Sequence, residues 1–388
     1  RDHDGRSDGS YARQSERATQ NSQTHNLSYL SVEFMTAFLL GVLLVVSPVD
    51  STQSLDDCRR MGPESQPPPV TSLTDARETW LAGQSVSRDS LLSNLSRIIR
   101  ARNCYHDLTA TRVERPYLST VVRTYKAEAV LRAALRQFPQ AFQAYDAGLS
   151  YLRSQSADDF IGYDEAHAEW PERLYQGKGY LHYLLGDLSS SIENYLRAYE
   201  AASAFNERTE HLLNVGILHQ RAQDYSSARH YYQRAQNRLE SDSLSTAARA
   251  ELRSRSYLVQ ADLLLEKTLN TSFDRNELAQ ARDFANRARS HATPGTERFA
   301  RISSVLSESL GYLGAFEKAS RLNAEVRRYA QANSTPRLHA LSLLKLGVLN
   351  IQTRNWERAD SSLTTALALA EDLGALDSQR RILRARVR

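Results

Sequence analysis

One arrangement of small and large side chains returns six times between residues 113 and 375, and it restricts this part of the chain to closely packed pairs of helices. The clearest copy reads Leu212-Leu-Asn-Val-Gly216-Ile-Leu-His219, then Asp224-Tyr225, then Ala228-x3-Tyr232-x2-Ala235. Side chains three, four and seven positions apart share one face of a helix. Gly216, Ala228 and Ala235 therefore form a small-residue seam that lets two antiparallel helices come together. Leu212 and Tyr232 fill the space beside it.

A second copy runs from Tyr175 through Gly179 and Gly186-Asp187 to Ser191, Tyr195 and Ala198. A third runs through Leu343, Leu346-Gly347, Ala359, Leu363 and Ala366. Weaker copies carry Tyr125, Ala129, Ala141, Tyr145 and Gly148; Ala261, Ala281, Ala285 and Ala288; and Ser307, Ala319, Asn323 and Val326. The second-helix positions 141, 191, 228, 281, 319 and 359 are 50, 37, 53, 38 and 40 apart. The skeleton resembles the tetratricopeptide repeat, in its bacterial form with units of about 40 residues, although the usual unit is about 34. The resemblance implies an all-α fold: a right-handed superhelical solenoid of antiparallel helix pairs. The polar stretch 269–277 is expected to hold one insertion. Residues 73–112, with apolar patterns over 73–82 and 90–103, are expected to be capping helices, because an end repeat otherwise exposes its apolar face.

Composition agrees with helix. Of 388 residues only 16 are Gly and 10 are Pro, and long stretches rich in Ala, Leu, Arg, Gln and Glu contain neither. Nothing in the body alternates with the period of a strand. With 41% hydrophobic and 24% charged residues, most of the chain has the means to bury a core. The net charge of +4 is spread over mixed pairs such as Glu207-Arg208 and Glu357-Arg358, so no nucleic-acid partner is expected. The one basic run, Arg380 to Arg388, is read over 376–388 as the solvated end of a helix.

The N-terminal part reads differently. Residues 1–27 are polar and nearly free of aliphatics, and are expected to be disordered. Within 28–51 lies Phe34-Met-Thr-Ala-Phe-Leu-Leu-Gly-Val-Leu-Leu-Val-Val46, thirteen residues without a charge. A bilayer span takes about 20, so this length suits an export signal, with a single membrane anchor or a buried helix as alternatives. Glu33 stands where a signal would carry a basic residue. The expected location is therefore periplasmic or cell-surface, or membrane-tethered through 34–46, and a cytoplasmic location is compatible. Residues 52–72 include Met61-Gly-Pro-Glu-Ser-Gln-Pro-Pro-Pro-Val70, an extended spacer by composition. Cys58 and Cys104 are too few and too far apart in pattern for a disulfide framework or a metal site.

The signatures of phosphate loops, zinc proteases, nucleophile elbows and redox dithiols are all absent from the sequence. Gly177-Lys-Gly179 has no preceding strand, and Gly179 already serves the helix seam. Cys104-Tyr-His106-Asp107 offers a thiol beside an imidazole but no oxyanion donor, and His167-Ala-Glu169 lacks partner cysteines. The chain is read as a non-enzyme without cofactor or metal.

What the resemblance implies is binding. In tetratricopeptide proteins the stacked first helices form a concave groove that takes a peptide or partner protein. Carried over by position, that groove includes Gln176, Tyr180 and Tyr183, then Glu210, Leu213, Ile217, Gln220 and Arg221, then Arg255, Asp262, Arg301 and Glu308. Chaperone-binding members clamp a terminal carboxylate with Lys and Asn. Gln176 and Tyr180 occupy two of those positions, which argues against that ligand. Two organisations fit best, a scaffold whose solenoid is the working part or the sensory part of a longer signalling protein, with an enzyme whose site lies in 73–170 as a distant third. The ending Ala-Leu-Ala-Leu-Ala-Glu-Asp-Leu-Gly374 is similar to repeats that precede bacterial kinase, transcription-factor or caspase-like peptidase domains.

Overall fold

The computed structural model describes helical turns within 89–103 and residues 117–154, 165–241, 246–373 and 376–387. The segments 1–27, 28–51 and 52–72, the apolar pattern over 73–82, and Cys104 lie outside the described residues.

Thirteen helices follow one another with no strand among the described residues. They are α1 Tyr117–Ala134, α2 Phe138–Ser154, α3 Glu165–Leu184, α4 Leu188–Ala201, α5 Phe205–Arg221, α6 Tyr225–Ser241 and α7 Thr246–Asn270. Then come α8 Arg275–His291, α9 Glu297–Tyr312, α10 Phe316–Ala332, α11 Pro336–Gln352, α12 Trp356–Asp372 and α13 Leu376–Val387. Odd and even helices pack as antiparallel pairs, and each pair packs on the next. The architecture is a tetratricopeptide-like solenoid.

The turn inside the pairs is chemically uniform. Five of them close through three residues, whose last N–H donates to a carbonyl five positions back: Gln137 to Arg132, Asp187 to His182, Asp224 to His219, Ala315 to Leu310 and Asn355 to Asn350. This six-to-one bond satisfies a carbonyl left over at the helix end, and it needs a left-handed residue in the middle. Gly186 (φ 79°) and Gly314 (φ 86°) supply it in two turns, while Arg136, Gln223 and Arg354 adopt it at φ near 60° in the others. Three of the following helices start on an aspartate cap. Asp187 accepts from Ser190 N–H at 3.0 Å, Asp224 from Ser227 N–H at 3.1 Å and Asp274 from Asn276 N–H at 2.7 Å.

The repeat positions form the seam. Ala141, Ser191, Ala228, Ala281, Ala319 and Ala359 are all at most 3% exposed. Where the small residue is a serine, its hydroxyl is satisfied across the pair: Ser191 donates to the Gly179 carbonyl and Ser307 to that of Ala319, both at 2.8 Å. Gly216 is the tightest approach, with the fully buried Tyr232 ring lying over it.

One expectation needs correcting. The expected insertion over 269–277 is mostly helix, since α7 continues to Asn270 and α8 begins at Arg275. The extra length resides in α7 itself, 25 residues without Gly or Pro, where the other helices between α1 and α12 have 14 to 20.

Candidate functional site: the inner face of the solenoid

Successive first helices touch one another: α1 with α3, α5 with α7, α7 with α9, α9 with α11 and α11 with α13. Second helices make no comparable contact among the described residues. An array tight along one row and splayed along the other must be concave on the tight side, so the odd-numbered helices line a groove.

Polar bonds cross this inner row. The Arg255 guanidinium on α7 donates to Asn214 Oδ1 at 2.8 Å and pairs with Glu210 at 3.5 Å, both on α5. Gln220 on α5 donates to Glu266 on α7 at 2.7 Å and accepts from the Tyr232 hydroxyl at 2.9 Å. Lys345 on α11 is buried against Glu308 (2.8 Å) and the Ser304 carbonyl (3.1 Å) of α9. Burial alone would push the Glu308 carboxyl up, but Lys345, with Arg381 from α13, holds it below the usual carboxylate range. Near α3, His211 of α5 and Glu172 are hydrogen-bonded and almost wholly buried.

The row also curls. Arg337 of α11 lies close enough to Tyr180 of α3 to act on its hydroxyl, although desolvation dominates and raises the Tyr180 pKa. Arg381 of α13 reaches Glu266 of α7 in the same way. Helices several pairs apart in the chain are thus within electrostatic range of each other on the inner face.

The residues expected in the groove fall into three groups. Arg221, Asp262 and Arg301 are exposed, the last paired with Glu297 of its own helix at 2.8 Å. Glu210, Gln220, Arg255 and Glu308 belong to the bonds between first helices just described. Gln176, Tyr180, Tyr183 and Ile217 are partly buried and Leu213 fully so; Tyr180 and Tyr183, rings 6.2 Å apart, rest on the core between α1 and α4.

Sequence reasoning missed Lys345 and Glu266, which bond to the neighbouring first helix, and Arg337 and Arg381, which act on first helices further along the chain. It also passed over Arg123, Lys126 and Arg173 at the α1–α3 end. A signal for these existed: Arg123 and Lys126 precede Arg173 and Gln176 by the same 50 residues that separate Ala141 from Ser191. They are the equivalent positions one repeat earlier.

No family model matches the chain and no curated protein matches its sequence. Similar solved structures include BtubC (BKLC) from P. vanneervenii, at 15% identity over 63% of this chain and 92% of that one, with a TM-score of 0.48. A tetratricopeptide repeat protein from Parabacteroides merdae ATCC 43184 is similar at 12% identity over 76% and 98%, TM-score 0.46. So is the quorum sensor NprR from B. thuringiensis in its apo form, at 11% identity over 86% and 96%, TM-score 0.46. At such scores none of them bears on what the groove of this chain binds.

Proposed function

We propose that the chain is an interaction scaffold that holds an extended peptide segment of another protein along the inner face of its solenoid. The observation that carries this reading is the inner row itself, in which first helices touch one another and are joined by the bonds of Arg255 to α5 and of Lys345 to α9. A concave row of helix faces suits an extended segment of peptide lying along it. Its walls offer aromatic and guanidinium groups, the side chains that most often anchor partners. The bonds of Arg255 to Asn214 and Glu210 fix one wall in advance, which lowers the entropy cost of binding.

The test uses the full chain and phage-displayed random peptides selected on it, the best binder then being titrated. Replacing Tyr183→Ala together with Arg221→Ala should weaken that peptide at least tenfold per folded molecule, or about 1.4 kcal/mol, beside the fall in Tm that the packing lost at Tyr183 brings. Reduced Tm with unchanged affinity per folded molecule would show that both side chains serve packing, and the groove reading would fall. In the same proposal the apolar stretch 34–46 delivers or tethers the groove outside the cytoplasm. Protease added to intact cells producing the chain should then degrade the solenoid. No helix among the described residues is long and apolar enough to cross a membrane.

A further inference from the structure

Lys126 sits on the inner row in the middle of α1 and, among the described residues, no hydrogen bond or ion pair reaches its ammonium. The acids nearby are engaged elsewhere. Glu128 on the same helix is bonded to Arg102 and Arg132, and Glu172 to His211. What faces Lys126 is positive. Arg123 lies one turn earlier, and Arg173 comes from α3. Both guanidiniums lie against the same buried indole, that of Trp170, at 6.0 and 5.4 Å from its centre. One ring thus anchors both, since a guanidinium over an indole face is attracted by its quadrupole.

Such an arrangement is unfavourable when empty. Desolvation takes the Lys126 pKa down to about 8, Arg173 and Arg123 adding to the effect and Glu172 opposing it. Burial and then Arg173 lower the Arg123 guanidinium as well. Arg173 is paired with Glu169, so Lys126 and Arg123 are left facing one carboxylate, Glu172, that is already hydrogen-bonded to an imidazole. Lys126 is half-buried and Arg123 exposed, so the site stays open to a ligand while a partly desolvated ammonium lacks a counter-charge.

We propose that Arg123, Lys126 and Arg173 form a receptor for a side-chain carboxylate, so that the peptide held in the groove is acidic where it passes the α1–α3 end. This rests on the groove reading above and gives the occupant a chemistry. A carboxylate fits better than a doubly charged phosphate. Glu169 neutralises Arg173 from one side and Glu207 lies near Arg173 beyond it, so the positive field is short in range. Two guanidiniums fixed on one ring also present the paired donors that planar carboxylates accept.

The experiment titrates the full chain with fluorescein-labelled hexaglutamate, its C-terminus amidated, by fluorescence anisotropy at low salt, with hexaglutamine as control. Hexaglutamate should bind and hexaglutamine should not. Lys126→Met should lose at least tenfold in affinity while Lys126→Arg keeps most of it. Because the ammonium lacks a partner in the free protein, Lys126→Met should melt no lower than the parent. A structural ion-pair role would instead lower its Tm, and that result overturns the proposal. Equal affinity of Lys126→Met and parent for hexaglutamate also overturns it. If hexaglutamate fails to bind while the selected peptide still depends on Tyr183 and Arg221, the carboxylate receptor falls and the groove stands. If the selected peptide is indifferent to Tyr183 and Arg221 yet hexaglutamate responds to Lys126→Met, the anionic site stands and the extended groove falls.

Discussion

Gly216→Ala is the sharpest probe of the packing. A methyl group at 216 would stand 2.3 Å from Tyr232 Cε1 and 2.5 Å from Cδ1, where carbon contacts settle at about 3.5–4.0 Å. The ring must therefore move by roughly 1 Å. It has little freedom to do so, being fully buried with its hydroxyl donating to Gln220, which is bound in turn to Glu266 of the next pair. Overpacking of this kind costs about 1–3 kcal/mol. Loss of the tyrosine hydrogen bond adds about 1 kcal/mol. Against this, alanine is better than glycine inside a helix by about 1 kcal/mol. The net loss is about 1–3 kcal/mol, or a fall in Tm of roughly 3–10 °C for a folded unit of this size. Gly179→Ala is the control, for it gains the same helical preference. Its methyl would meet Tyr195 and Asn194 only at 3.0–3.3 Å, a gap that small shifts relieve. Its Tm should stay within about 2 °C of the parent. Thermal melts followed by circular dichroism at the helical minimum read both. Should Gly216→Ala melt at or above the parent, or Gly179→Ala fall as far, the assignment of the seam would be refuted.

Four more outcomes are set by the same geometry. Ala228→Leu places a branched side chain at a fully buried seam position and should cost about 1–3 kcal/mol, read from the denaturation midpoint. Lys345→Met leaves Glu308 buried without its partner and should cost about 3–5 kcal/mol, while adding Glu308→Leu should recover most of that; a single variant as stable as the parent would count against a buried ion pair. The Glu308 carboxyl is lowered in the folded chain, so its stabilisation is complete above an ordinary Glu pKa of about 4.3 and is lost as pH falls through the folded value. Parent and Glu308→Gln should therefore differ most in Tm above about pH 5 and converge toward pH 3. Circular dichroism of the full chain should show helix as its dominant regular structure.

What the sequence disclosed and what it withheld divide along a physical line. Packing inside a pair is encoded by residues 12 to 20 positions apart, and Gly216, Ala228 and Tyr232 show it plainly. A small residue set opposite a large one at that separation marks two helices in close contact. The groove was legible only as a face. Glu210 and Arg255 could be assigned to it, yet that they bind each other depends on the angle between α5 and α7. Lys345 and Glu308, 37 residues apart, were separated in the same way, and only Glu308 was noticed. Tyr180 looked like a groove aromatic from its spacing, whereas its ring lies largely on the core. Spacing gives the side of a helix a residue leaves from and says nothing of how far neighbouring helices close over it. The stretch 269–277 looked like an insertion because Ser, Asp and Asn suggested a loop, whereas α7 runs on to Asn270 and Asp274 caps α8 four residues later.

The contrast between touching first helices and parted second helices has a mechanical meaning. Each junction between pairs is a hinge whose pin runs along the inner row, where Arg255 and Lys345 act as rivets. Tension applied to the ends would straighten the array, closing the splay on the outer side and loading the rivets of the inner row. Small rotations at successive hinges add along the array, so the distance between first helices as far apart as α3 and α11 changes more than the spacing at any one junction. The solenoid is in this sense a spring calliper, with Tyr180 and Arg337 on its jaws.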